Sequence, residues 1–366
     1  MDAIDLMDEV EKRDPRVRVI SVPLLVEPGH SLSFFVQARV DPATGSLFVP
    51  GYNQVFVDPV TGAELGRRAW GAAWPLSREN FVSFLYKLHY SLHLPEMWGI
   101  DRWGRWLMGA IALIWTIDCF VGFWLTLPAR RHLSRVAGAR LVPWHGWLGR
   151  WRPSWSVRVS GTRYRLVFDL HRALGLWTWV LLFVLAFTAF SLNLYREVFY
   201  PLMSTVSQVT PNLFALRLPA PPERPIEPVV GYREIVERAR AEGIGRGWTT
   251  PVGGVFYTPG FGIYGARFFE VGEEEGAAGV GPAILYFDGK DGRLVAERRP
   301  WRGTAADIFL QAQFPLHSGR ILGLPGRILV SLMGVVVAAL SVTGLAIWYR
   351  RHCARMAARQ HPARRG

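Results

Sequence analysis

The sequence predicts a membrane α-helical bundle, with three transmembrane helices, that carries two small α+β domains outside the cytoplasm. Three observations predict it. Hydrophobic residues make up 50% of the 366-residue chain and cluster in runs, which marks membrane spans rather than one larger core. Three of these runs reach the roughly 20 residues that a bilayer crossing needs. The arginine excess behind the net charge of +13 sits in two blocks, each after an apolar run. That is a positive-inside signal and excludes the nucleic-acid reading of the charge.

Residues 1–78 form the first outside domain. DLMDEVEKRD reads as a short amphipathic helix, and VRVISVPLL, LSFFVQARV and YNQVFVDP read as strands rich in β-branched and aromatic residues. The DPxTG turns at Asp41–Gly45 and Asp58–Gly62 close hairpins, with Pro at the second turn position and Gly supplying the permissive backbone. One carboxylate per turn is too few for a Ca²⁺ loop. Residues 79–103 form an interfacial entry, and 104–127 the first span, from about Trp106 to Leu127.

The loop 128–169 holds nine arginines, at 130, 131, 135, 140, 150, 152, 158, 163 and 165, with no acidic residue between Pro128 and Phe168. The second span is 170–195, its apolar part running from about Leu174 to Leu194. Residues 196–310 form the second outside domain, with a proline-rich linker at 210–228, the helix YREIVERARAEG, and the strands GARFFEV, ILYFDGKDG and RLVAERR. A second entry, 311–325, leads into the span 326–349, apolar from Ile328 to Tyr349. The tail 350–366 carries six arginines and no acid. Both basic blocks therefore read as cytoplasmic, which puts residues 1–100 and 196–322 outside and the C-terminus inside.

The only cysteines, Cys119 in a span and Cys353 in the tail, give no structural disulfide, and without a CxxCH motif haem cannot be attached covalently. The two halves of the chain also compare with each other. The second reads LHRALGLW, span, domain, LHSGRILGLPGR, span; the first reads domain, LHYSLHLP, span. They match if one helix is absent from the front, so a four-helix parent is expected, this chain being truncated or started at an internal Met; a natural three-helix form is the alternative. MDAIDLMDEVEKRD is neither a signal peptide nor a span.

The order VDPVTGAELG, LHYSLHLP, a helix ending FWLTLP, DLHRALGLW, a second domain and LHSGRILGLPGR resembles the PepSY-associated transmembrane family of bacterial inner-membrane proteins, often iron-regulated. The resemblance covers nearly the whole chain, and the three His-containing motifs are its most specific part. Typical members have four helices with an HRW-like entry on the first, which this sequence lacks. The resemblance implies PepSY-like outside domains and an inner-membrane location. Some relatives are b-type haem proteins that reduce ferric siderophores in the periplasm, so it also implies a haem route for electrons across the membrane, with the substrate open.

Histidine placement supports haem independently. Of nine histidines, His89, His93, His171 and His317 sit at helix entries. Haem iron accepts axial imidazoles, and bundles build cofactor sites from facing helices. An outer haem b would take His317 with either His89 or His93; an inner one would take His171 with a ligand from the absent helix. The plain alternative is interfacial anchoring by snorkelling. As i and i+4 residues, His89 and His93 are expected on one helix face, where Zn²⁺ is a further option, but no HExxH glutamate accompanies them. His132, His145, His352 and His361 lie among arginines and read as solvated, and His30 follows a Pro-Gly turn.

Asp118 is an ionisable residue in mid-span, expected to face a bundle interior as a proton relay or as a protonated hydrogen-bond donor. Arg320 and Arg327 flank LGLPG and either pair with haem propionates or anchor to lipid headgroups. Trp115, Trp124, Trp177 and Trp179 either stack on a porphyrin or serve as interfacial and packing aromatics. Gly109, Gly122, Ser331, Gly334, Ser341 and Gly344 are expected at close helix contacts.

Three functions remain. The first is a haem-dependent oxidoreductase of the ferric-chelate reductase type, fed by quinol or a membrane partner because no nucleotide-binding fingerprint is present. The second is a non-catalytic membrane protein that binds or regulates peptidases. The third is an iron or solute transport component, which with so few helices would need to oligomerise.

Overall fold

The computed structural model describes residues 1–128, 144–214 and 217–360. In chain order the elements are α1 (Ala3–Arg13), β1 (Val17–Pro23), β2 (Leu32–Ala38), β3 (Gln54–Val57), β4 (Glu64–Arg68), α2 (Phe81–Ser91) and α3 (Trp103–Thr126). Then come α4 (Trp144–Trp151), α5 (Arg163–Trp177), α6 (Trp179–Asn193), α7 (Tyr200–Val206), α8 (Tyr232–Gly245), β5 (Val252–Thr258) and β6 (Ile263–Phe268). The last are β7 (Ala283–Asp288), β8 (Leu294–Arg298), α9 (Ala305–Ser318) and α10 (Gly323–Gln360). They divide into a sheet unit, Met1–Arg105 with Phe199–Ala312, and a helical unit, Trp106–Val198 with Gln313 onward.

In the sheet unit the chain runs twice through a helix followed by a four-strand meander. Asp2 starts α1 by accepting the Ile4 amide at 2.7 Å, and Lys12 and Arg13 in the last turn complement the helix dipole. Its apolar residues Ala3, Leu6, Met7 and Val10 fall at helical spacing and are all buried. Leu32, Phe34 and Val36 alternate inward along β2, as period-two strands require. In the second repeat Ile235, Val236 and Ala239 of α8 take the place of the α1 residues, and one apolar cluster contains both sets.

The two repeats share one sheet. The strand order is β4-β3-β2-β1-β5-β6-β7-β8, all antiparallel, and the join is β1 on β5, with Val22 opposite Val255. Joining them pairs the inner edge strand of each repeat and removes two exposed edges. Arg18 of β1 clamps the join by pairing with Glu227 at 2.6 and 2.8 Å. Two strands were absent from the sequence reading, β4 and β5. The Gly253–Gly254 pair weakens the strand signal of β5, and β4 is rich in polar and charged residues. The proline-rich stretch 210–228 is bonded along the second repeat: the Ala220 amide donates to Gly260, the Ile226 amide to Pro259, and Arg217 pairs with Asp288.

In the helical unit α3 and α10 are each long and apolar enough to cross a membrane. The expected second span is a bent pair, α5 and α6, with a 71° angle between them. Thr178 breaks it: its backbone leaves helical geometry and its hydroxyl occupies the Leu174 carbonyl at 2.8 Å. Counting that pair as one, the unit offers three spans. The tail after Tyr349 does not begin a separate segment, because α10 continues to Gln360. Ala, Arg and Met are good helix formers, and arginines near a helix C-terminus suit its dipole.

Candidate functional site: two hydroxyl-held imidazoles

The candidate ligands separate between the units. His89 and His93 belong to the sheet unit, His171 and His317 to the helical unit. The expectation that His89 and His93 share a helix face fails. Helix α2 ends at Ser91, and Leu92 and His93 both take positive φ, 52° each. The chain therefore turns between them. His89 stays exposed on the last turn of α2, while the His93 ring stacks on Phe84 (4.8 Å between centroids) with Nε2 2.9 Å from the Phe84 carbonyl. The helical Zn²⁺ pair goes with that geometry.

His171 and His317 are held in a matched way. His171, on α5, has Nδ1 2.9 Å from the Thr343 hydroxyl of α10. His317, in the last turn of α9, has Nδ1 3.0 Å from the Thr188 hydroxyl of α6. Each threonine also contacts two carbonyls of its own helix, Ala339 (2.7 Å) and Leu340 (3.2 Å) for Thr343, Val184 (2.6 Å) and Leu185 (3.2 Å) for Thr188. A carbonyl only accepts, so the hydroxyl proton is committed there. The hydroxyl oxygen must then accept from the ring, which places a proton on Nδ1 and makes Nε2 the nitrogen that the neutral ring would offer to a metal. A hydrogen bond at the other ring nitrogen is the arrangement that orients a metal-ligating histidine.

Further polar contacts lie on the helices that carry the histidines. On α9 the Thr304 hydroxyl caps the Asp307 amide while Asp307 accepts from the Thr304 and Thr210 amides, at 2.8 and 2.9 Å. Burial pushes the Asp307 carboxyl upward, but these bonds outweigh it and hold it below the ordinary range. Four residues before His317, buried Gln313 accepts from Ser191 at 2.9 Å, so a polar ladder joins α9 to α6. On α5 buried Asp169 is bonded by Arg158 and Arg172, and the His171 ring lies against Gly344, where a Cβ would come within 3.2 Å. Gly344 therefore does serve close packing, as does Gly109 against Leu194, whereas Gly122 and Gly334 have no non-neighbour atom within 4 Å of their Cβ positions.

The remaining expected residues fall as follows. Asp118 is exposed on α3 and does not face the packed seam; Cys119, one position on, does, since a helix turns about 100° per residue. Arg320 lies over the Phe314 ring, and Arg327 is exposed on the first turn of α10. Trp115 and Trp179 pack against the Cys119 cluster, with the Trp179 indole donating to the Cys119 carbonyl, while Trp124 and Trp177 are exposed. His132, His361 and the arginines at 130, 131, 135, 140, 364 and 365 lie outside the described residues. Thr188, Thr343, Ser191 and Gln313 were not singled out from sequence. Their signal was polar residues interrupting apolar runs.

Among the described residues no group of three or more His, Cys, Asp or Glu side chains could cage a metal ion. Haem asks less of a protein, because the porphyrin fills four positions and only axial imidazoles remain to be supplied. Two imidazoles each held through Nδ1 fit that requirement. Comparison with curated proteins finds no match. The family model described as PepSY-associated TM region matches residues 12–351, all eight strands included, and the chain belongs to that family.

Proposed function

We propose that this protein is a b-type haem protein of the bacterial inner membrane that moves electrons across the bilayer to ferric chelates outside the cytoplasm. The observation that carries the reading is the pair of hydroxyl-held imidazoles, His171 on Thr343 and His317 on Thr188. Each would supply one axial nitrogen, Nε2, to a haem; when bound, the iron would supply one-electron chemistry by cycling between its ferric and ferrous states. The chain's own residues fix ring orientation through Nδ1 and half-bury the rings among the helices. Burial of that kind tunes potential. Arg320 and Arg327 would serve the propionates. The membrane itself is the one partner that the apolar helices imply directly.

The test is an absorption spectrum of the detergent-solubilised chain, expressed with haem available, in oxidised and dithionite-reduced forms. A Soret band with sharp reduced α and β bands is expected. A folded sample without a Soret band would discard the haem reading and favour a binding module that acts on peptidases.

A further inference from the structure

The sheet unit contains a second arrangement, unconnected with the histidines. Three glycines interrupt β5 and β6 where β-branched residues would be usual: Gly253, Gly254 and Gly265. Each makes room for a particular side chain. A Cβ on Gly253 would strike the Phe269 ring, one on Gly265 the Phe256 ring, and one on Gly254 would come 3.1 Å from Arg267 Nη2. Glycine inside a strand marks a close approach to the backbone, and here the approaching group is a guanidinium with two aromatic neighbours. The guanidinium carbon lies 5.8 Å from the Phe256 ring centre and 6.0 Å from that of Phe269.

Arg267 lacks the partner such a charge normally has. Arg18, the other deep arginine of this sheet, is bidentate to Glu227. Among the described residues no carboxylate bonds Arg267: Nη2 donates to the Ser21 hydroxyl at 3.3 Å, and its buried Nε has no acceptor. Glu274 acts on it only through space, and the Glu274 carboxylate accepts from the Gly272 amide. Buried charges are otherwise paired, and a planar guanidinium presents its donors in a fork that matches a carboxylate.

We propose that Arg267, lying over Gly254 beside Phe256, Phe269 and Ser21, binds the carboxylate of a small organic anion. The Phe256 and Phe269 rings lie beside the guanidinium, and Ser21 offers a further hydroxyl. This site stands or falls independently of haem.

Citrate, acetate and inorganic phosphate titrated calorimetrically into the full chain in detergent test it. One citrate site per chain is expected, weakened about tenfold or more in Arg267→Lys, which keeps the charge and loses the fork. Arg267→Gln removes the charge and shortens the side chain, so at least the same loss is expected there; if Arg267→Lys fails to fold, Arg267→Gln decides. Citrate binding unchanged in these variants, or no binding of citrate and acetate at millimolar concentration, overturns the site. Arg267-dependent binding of phosphate in preference to citrate overturns the carboxylate assignment.

Discussion

At the scale of single residues two threonines, Thr343 and Thr188, hold the candidate ligands. Replacing Thr343 or Thr188 by Val removes the acceptor that holds Nδ1–H and conserves side-chain shape. Each substitution is expected to weaken haem retention about 10- to 100-fold, the usual cost of losing an outer-sphere partner, and is checked by apo-to-holo titration with hemin. The histidines were legible in the sequence because imidazole is scarce and recurs after Leu at helix entries. The threonines were not, since a hydroxyl in an apolar run also bonds its own helix, as Thr116 does with Ala112. Asp14 gives a pH-dependent prediction. The Arg16 hydrogen bond, followed by those from Tyr52 and the Arg16 amide, holds its carboxyl well below the usual range against the opposing effect of burial. Because the folded value is depressed, its stabilisation is complete above the ordinary carboxylate pKa of about 4 and is lost progressively as pH falls from there through the folded value. Asp14→Asn should therefore lower the melting temperature of the sheet unit at pH 7, by an amount that shrinks steadily as the pH is taken below about 4, read by circular dichroism.

At the scale of elements, hydrophobic periodicity located α1, α8 and most strands, and run length located α3 and α10. It could not show the break at Thr178, because Thr is common in apolar helices and only the tertiary setting decides whether its hydroxyl competes with the backbone. Nor could it show β5, whose glycines answer to the side chains lying over them. The end of α2 was missed because two non-glycine residues, Leu92 and His93, take positive φ, against their preference. The shared sheet makes a stability prediction: Phe34, fully buried where β2 meets the common core, should cost about 3–5 kcal/mol as Phe34→Ala. Since one apolar cluster spans both repeats, the two are expected to unfold together, in a single transition by denaturant titration.

At the scale of the whole molecule the arginine blocks fix the proposed orientation, with the end of α10 that bears Arg350 and Arg351 in the cytoplasm. Cys353 is exposed on that part of α10 and Cys119 is buried, so a membrane-impermeant maleimide should label the chain at Cys353 in inside-out vesicles and leave it unlabelled in right-side-out ones. The reverse pattern would invert the topology. The family was legible from its motifs; the electron route is the part that needs direct measurement. The most direct one is the reduced-minus-oxidised difference spectrum of membranes holding the wild-type chain, His171→Ala and His317→Ala at matched expression. Sharp haem b bands are expected in the wild type, with loss or high-spin conversion of a haem signal in each variant. Bands of equal shape and height in all three would rule out both histidines as haem ligands.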